Sequence, residues 1–236
     1  MHDYYDLGTY SRPVTTSSPQ AQLWFDRGLM WCYGYNHDEA IRCFHKALEH
    51  DRECAMAYWG IAYASGPNYN KRWDAFIEQE LKEAVAQARL ATQIALVHLD
   101  GATAVEQALI RALQQRYQSE QATTVDELLT WNDAYAAAMR EVYQAFPDDP
   151  DVTALFAEAL IDRTPWQLWD LKTGTPALFA RSKISMTSRN EPAMGLSINT
   201  GLRAWNTGFT CSRCGRPSRL SSSTASTSSH SFSIES

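Results

Sequence analysis

Residues 21–66, AQLWFDRGLMWCYGYNHDEAIRCFHKALEHDRECAMAYWGIAYASG, contain the pattern that decides the fold. Tyr58 follows Trp24 by 34 residues, and Ala62 follows Gly28 by the same interval. Internal similarity at this period is typical of a repeated helix–turn–helix unit, because one such unit cannot bury its apolar stripe alone. The stretch therefore predicts at least two helix pairs stacked in register.

The spacing assigns packing roles to small and bulky residues. Small residues are needed where two helices approach closely, and aromatic rings fill the space between them. In the first units we expect these contacts at Trp24, Gly28, Ala40, Phe44, Ala47, Tyr58 and Ala62. A later partial match predicts the same roles for Ala138, Val142, Ala145 and Pro150.

Helical periodicity continues to about residue 160, and no strand-like alternation of useful length interrupts it. The chain is therefore predicted to be all-α. Residues 1–20 are polar and contain two prolines, which predicts an extended lead-in. We assign residues 21–178 to a helical-repeat domain and residues 179–236 to a disordered tail rich in Ser and Arg.

With these motifs, the chain resembles the tetratricopeptide-repeat (TPR) superfamily. The segments AMAYWGIAYASGPNYN and ALIDRTPWQLWD are similar to those of a microbial and fungal group of TPR-domain proteins. Residues 67–137 do not keep the 34-residue register, which implies longer or inserted helices there.

The resemblance implies a superhelix of antiparallel helix pairs that acts as a protein–protein interaction scaffold. First helices of TPR units line a concave groove. It therefore implies a peptide-contacting surface at Trp31, Tyr35, Trp59 and Tyr63, with a protein or peptide partner.

Charge divides the chain into two parts. Residues 1–180 contain 14 Lys and Arg against 25 Asp and Glu, whereas residues 181–236 contain 7 against 2. This change coincides with the loss of periodicity, so a shifted reading frame, a retained intron or a truncated gene model would explain the tail. A partial or non-functional fragment of a longer TPR protein is therefore an alternative interpretation.

An acidic helical body argues against a nucleic-acid partner, because phosphates need a basic surface. The sequence also predicts no membrane partner, since it has neither a long apolar run nor a secretory signal. Five cysteines, an odd number, favour reduced thiols and a cytoplasmic location.

The chemistry-bearing residues form no recognisable catalytic or metal motif. Cys211 and Cys214 form a C-x-x-C pair, but no second pair follows to complete a zinc site. A metal-dependent enzyme using His37, Cys43 and glutamates remains a weaker alternative. The sequence predicts no catalytic residue, no metal site and no cofactor.

Overall fold

The computed structural model describes residues 4–120, 124–167, 169–172 and 175–176. Seven α-helices account for most of these residues, which confirms the all-α prediction. The helices are α1 (Pro19–Tyr33), α2 (His37–His50), α3 (Ala55–Ser65), α4 (Glu78–Val97), α5 (Ala104–Gln114), α6 (Val125–Ala145) and α7 (Pro150–Ile161). Short 3₁₀ turns at Trp73–Ala75 and Leu99–Gly101 flank α4. Two-residue strands β1 (Trp169–Asp170) and β2 (Thr175–Pro176) pair antiparallel after α7. The predicted disordered tail, residues 179–236, lies outside the described residues.

Short polar side chains define where the helices begin. The Ser18 hydroxyl accepts a hydrogen bond from a backbone N–H in the first turn of α1, and Asn36 does the same for α2. Thr103 and Glu106 form a reciprocal capping box at α5, and Asp149 caps α7. Each cap satisfies backbone donors that the helix itself leaves unpaired.

Every helix packs against the next one in the chain, and α3 also packs against both α1 and α5. Connections of three or four residues join α1 to α2, α2 to α3 and α6 to α7. Such short connections require neighbouring helices to run antiparallel. Helix α3 lies at the centre because it contacts α1, α2, α4 and α5, and 10 of its 11 residues are buried.

Phe44 of α2 connects the first three helices. A β-carbon added at Gly28 of α1 would lie 2.5 Å from the Phe44 ring, and one at Gly60 of α3 would lie 2.6 Å from it. The ring therefore occupies space that only glycine leaves open on both sides. The 34-residue pattern identified Gly28 and Phe44, but it did not identify Gly60.

The other predicted packing residues occupy different environments. Fully buried positions are Ala40, Ala47 and Ala62, with Val142 at 5% exposed. Trp24, Tyr58 and Ala138 are half-buried against the core.

The structure corrects two packing assignments. Ala145 is exposed because it is the last residue of α6 and its side chain faces away from the core. Pro150 is exposed because it occupies the first turn of α7, where proline starts a helix without filling a gap between helices.

Residues 4–18, here called the N-terminal strap, do more than lead into α1. Arg12 is 7% exposed and pairs with Asp149 at 2.8 Å and Asp151 at 2.7 Å, both at the start of α7. Thr15 donates its backbone N–H and its hydroxyl to the buried carboxylate of Glu106. The strap thus connects α1, α5 and α7, and the expectation of a plain extended lead-in was incomplete.

Candidate functional site

A buried ion pair organises the region where α3, α5 and α7 end. Arg116, just after α5, donates through Nη2 to the Pro67 carbonyl and to Oδ2 of Asp162, each at 2.7 Å. The two charged side chains are 1% and 3% exposed. A buried pair of this kind needs further hydrogen bonds to offset its lost hydration, and the Pro67 carbonyl supplies one.

Burial shifts the protonation equilibria around this pair. It raises the pKa of Asp162 to about 6, although the Arg116 charge acts in the opposite direction. Burial and the Asp162 charge raise the pKa of Glu158, one turn earlier on α7, well above its usual range. Burial and the charge of Arg116 lower the pKa of His37 to about 4. At neutral pH, His37 is therefore an uncharged ring beside Asn68, whose Nδ2 lies 2.8 Å from Nδ1.

A small cavity opens beside Asp162, and we call it the end cleft. It encloses about 140 Å³, and its polar walls include Asn68, Trp73, Asn132, Asp162, Thr164 and Gln167. The Asn132 amide is held on both sides, because it accepts from the Trp73 indole at 3.1 Å and donates to the Asp162 carbonyl at 3.3 Å. The cleft therefore has a fixed polar wall built by the first 3₁₀ turn, by α6 and by the residues after α7.

Tyr69 and Trp166 form a stacked aromatic pair near the end cleft. Their rings are 6.5 Å apart and within 10° of parallel, and the Trp166 indole donates to the Tyr69 carbonyl at 2.8 Å. Trp166 is 68% exposed and has a backbone φ of 65°. A non-glycine residue in this left-handed region is strained, and such strain often accompanies functional sites.

The structure does not bring the four predicted groove residues together on one open surface. Trp59 and Tyr63 are 1% and 5% exposed, and their rings stack on each other 5.1 Å apart. They belong to the core because α3 is covered by its neighbours on nearly all sides, so their assignment to an open groove is corrected.

Trp31, in the last turn of α1, and Tyr35, in the connection from α1 to α2, are half-buried. The Trp31 indole donates to the Tyr4 hydroxyl of the strap at 2.7 Å. Tyr35, at φ 58°, lies against the ring of His37. Both rings are thus in contact with other parts of the same chain.

The residues considered for metal binding or redox chemistry do not form a metal site in the part of the chain that the structure describes. Within the described ranges, no three His, Cys, Asp or Glu side chains are placed to hold a metal ion. Cys32, Cys43 and Cys54 are buried free thiols. Cys211 and Cys214 lie outside the described residues. No helix among the described residues is long and apolar enough to cross a membrane.

A larger hollow of about 600 Å³ lies between the strap, the start of α3 and the end of α4. Acidic side chains, including Asp51, Glu53 and Asp100, surround it together with His98. Its Asp51 carboxylate is already bonded to the Thr16 hydroxyl. None of the described residues that line this hollow has a buried side-chain N or O atom without a hydrogen-bond partner.

Sequence reasoning did not identify Arg116, Asn132, Asp162 or Thr164 as site residues. The sequence did contain a hint of this site. The two segments quoted for the TPR resemblance, one ending in GPNYN and the other containing IDRTPW, both line the end cleft. Spacing within one helix cannot reveal such a meeting, since it depends on how α3 and α7 are placed in three dimensions.

Comparisons with protein-family models, with curated proteins and with solved structures found no match for this chain. The resemblance to the TPR superfamily therefore remains a prediction that depends on the residues quoted above.

Proposed function

We propose that this chain is a helical-repeat scaffold that binds another protein or peptide, with the end cleft as part of its contact surface. The observation that carries the proposal is the Trp166 side chain, which is held in a strained, largely exposed position beside a polar cleft. Exposed aromatic anchors next to a pocket are typical of residues that dominate binding energy in protein interfaces.

The arrangement of helices supports a binding module. In this chain neighbouring helices run antiparallel around a central α3. Repeat proteins built from stacked helix pairs have a similar arrangement and commonly present extended surfaces to partners. The carboxylate of Asp162 is engaged by Arg116 at 2.7 Å, as in a structural ion pair. We therefore favour binding over acid–base catalysis at this site, and a cytoplasmic protein partner remains part of the proposal.

A photo-cross-linking experiment tests the proposal. A photoreactive amino acid replaces Gln167 at the cleft in the full chain, which is produced in its native host, and Gln93 on the exposed side of α4 serves as the control position. We expect a partner cross-linked at position 167 and not at position 93.

The partner is then purified, and its affinity for the full chain is measured by calorimetry. We expect Trp166→Ala to weaken this affinity at least about tenfold, since interface tryptophans often contribute more than 1 kcal/mol. Leu90→Ala, at a 59% exposed position on α4, should leave the affinity unchanged. Equal affinities for both variants, or cross-links at both positions alike, would contradict the proposal.

A further inference from the structure

The side chain of Tyr4, at the tip of the N-terminal strap, is enclosed by side chains from two helices. We call these the Tyr4 pocket: Trp24, Arg27 and Trp31 of α1, and Glu39 and Cys43 of α2. On each helix they share one face, because they are three, four or seven residues apart. Helices α1 and α2 pack against each other, so the two faces form one pocket.

The hydroxyl of Tyr4 uses all of its hydrogen-bonding capacity in this pocket. It donates to Oε1 of Glu39 at 2.8 Å and accepts from the Trp31 indole at 2.7 Å. Its oxygen also lies 3.0 Å from Sγ of Cys43, and the thiol is the donor there because the hydroxyl proton points to Glu39. A hydroxyl has one proton and two lone pairs, so the pocket matches a neutral phenol completely.

The ring of Tyr4 is also recognised. The Arg27 guanidinium lies over it, 4.4 Å from the ring centre. The rings of Tyr4 and Trp24 meet edge to face, with their centres 5.1 Å apart. Both arrangements are favourable for an electron-rich aromatic ring. The pocket therefore complements both parts of a tyrosine side chain.

The segment that carries Tyr4 is only lightly attached, and we call it the arm, residues 4–9. Apart from Tyr4, the arm makes no hydrogen bond to a helix within the described part of the chain. Tyr5 packs its ring against Trp31, but it is 69% exposed. Gly8 has a φ of 82°, and a β-carbon there would meet nothing within 4 Å. The arm can therefore swing about Gly8 once Tyr4 leaves its pocket.

The rest of the strap is anchored by bonds that do not involve the arm. Thr15 donates its hydroxyl to Glu106 at 2.6 Å, and Arg12 is paired with two aspartates at the start of α7. The arm can thus open while the rest of the strap and the helices keep their places. Such a local opening costs less free energy than unfolding the whole chain.

We propose that the Tyr4 pocket is a docking site for a tyrosine of a partner protein, which enters when the arm swings away. Tyr4 is the resident occupant that keeps the pocket closed in the free protein. The partner's tyrosine makes the same hydrogen bonds to Glu39 and Trp31. This inference rests on the proposed scaffold function, because it needs a partner, but it adds a contact surface built from residues outside the end cleft.

The pocket distinguishes tyrosine from its nearest relatives. Phenylalanine would leave the Glu39 carboxylate and the Trp31 N–H without their partner, and groups left unpaired in this way weaken binding. Phosphotyrosine would place a bulky anion where three groups already lie within 3.0 Å of the hydroxyl oxygen, one of them the Glu39 carboxylate. An unmodified tyrosine is therefore the side chain that fits.

Three probes test the pocket without a partner: the N-acetyl amides of tyrosine, phenylalanine and phosphotyrosine. Each is titrated into the full chain carrying Tyr4→Ala and labelled with ¹⁵N at tryptophan indoles. The Trp31 N–H signal is followed, because this group bonds the tyrosine hydroxyl. We expect a saturable shift with the tyrosine amide, and affinities at least about tenfold weaker for the other two probes.

The wild-type chain provides two controls. Its own Tyr4 competes from within the same molecule, so the tyrosine amide should bind the wild type at least about tenfold more weakly than Tyr4→Ala. Unlabelled wild type added to the labelled variant should cause no shift, because its arm already fills its own pocket. A saturable shift in that mixture would make a second copy of the chain the occupant and overturn the inference.

A second substitution in the Tyr4→Ala chain locates the bound probe. Glu39→Ala removes the acceptor of the hydroxyl proton, so it should weaken binding of the tyrosine amide about threefold to tenfold. Binding of the phenylalanine amide should hardly change. Glu49→Ala is the matched control, because Glu49 is exposed on the same helix, about 15 Å farther along it. It should affect neither probe.

The inference is overturned if the tyrosine amide does not shift the Trp31 signal, if either other probe or the wild type binds as well, or if Glu39→Ala behaves like Glu49→Ala. It is also overturned if Tyr4→Ala abolishes cooperative melting, since Tyr4 would then be part of the fold and not an exchangeable occupant. Specific binding of the tyrosine amide together with failed cross-linking at position 167 would reject the end cleft as a contact surface and leave the Tyr4 pocket standing.

Discussion

Phe44 shows how a single residue can determine the packing of three helices. Its ring lies in the gap created by two glycines on different helices, Gly28 and Gly60. Alanine is normally favoured over glycine inside a helix by about 1 kcal/mol. Glycine at both positions therefore indicates that steric fit to the ring outweighs helix propensity here.

Gly28→Ala tests this fit directly. The added methyl would come within 2.5 Å of the ring, so we expect the free energy of unfolding to fall by about 1–3 kcal/mol despite the better helix propensity. Denaturant unfolding measures the change. Gly101→Ala is the control, because a β-carbon there would meet nothing within 4 Å.

A double-mutant cycle then assigns the cause. The three atoms nearest to a β-carbon at Gly28 belong to the Phe44 ring, so Gly28→Ala should cost less when Phe44 is replaced by Leu. An equal cost in both backgrounds would show that the ring is not the obstacle.

At the scale of whole elements, the N-terminal strap connects segments that are far apart in sequence. Asp151 at the start of α7 accepts from Arg12 and from Tyr10, each at 2.7 Å, and also from Tyr33 at the end of α1. Helices α1 and α7 are therefore held together through one carboxylate. The polar composition of residues 1–20 predicted only an extended lead-in. Composition does not show which acidic residues Arg12 contacts in the folded chain.

Arg12→Gln should destabilise the fold through this connection. Removing one partner of a buried ion pair leaves the carboxylates of Asp149 and Asp151 without their cation, and we expect a loss of about 2–4 kcal/mol in unfolding free energy. The strap should also become more sensitive to proteolysis.

Arg42→Gln is the matched control for this change. Arg42 pairs with Glu39 on the surface of α2, with its side chain 66% exposed. An exposed pair of this kind contributes little to stability, so this variant should unfold almost like the wild type. Similar losses for both variants would argue against a structural role of the strap.

At the scale of the whole molecule, titratable groups from α2 and α7 meet around Arg116. His37 has a pKa lowered to about 4, first by burial and then by the Arg116 charge. Because its folded pKa lies below the ordinary value of 6.5, the unfolded chain binds a proton more readily. Its contribution to stability is thus complete above pH 6.5 and is lost as the pH falls towards 4. Asp162, with a raised pKa of about 6, acts in the opposite direction over much of this range.

His37→Gln separates these two opposing effects. We expect the stability advantage of the wild type over this variant to shrink by about 3 kcal/mol between pH 7 and pH 4, because only the wild type must protonate the ring on unfolding. Urea unfolding of both proteins across this range provides the measurement. A difference between them that stays constant with pH would show that His37 does not titrate differently in the two states.

The amino-acid sequence by itself determined the helical class, several of the helix starts and the separate packing roles of Gly28 and Phe44. These features depend on local periodicity, capping chemistry and one short repeat, all of which act between residues close in the chain. Only the tertiary structure decided that Trp59 and Tyr63 are core residues and that Arg116, Asn132, Asp162 and Thr164 share one site. Burial and convergence depend on how distant helices pack, and no spacing within a single helix contains that information.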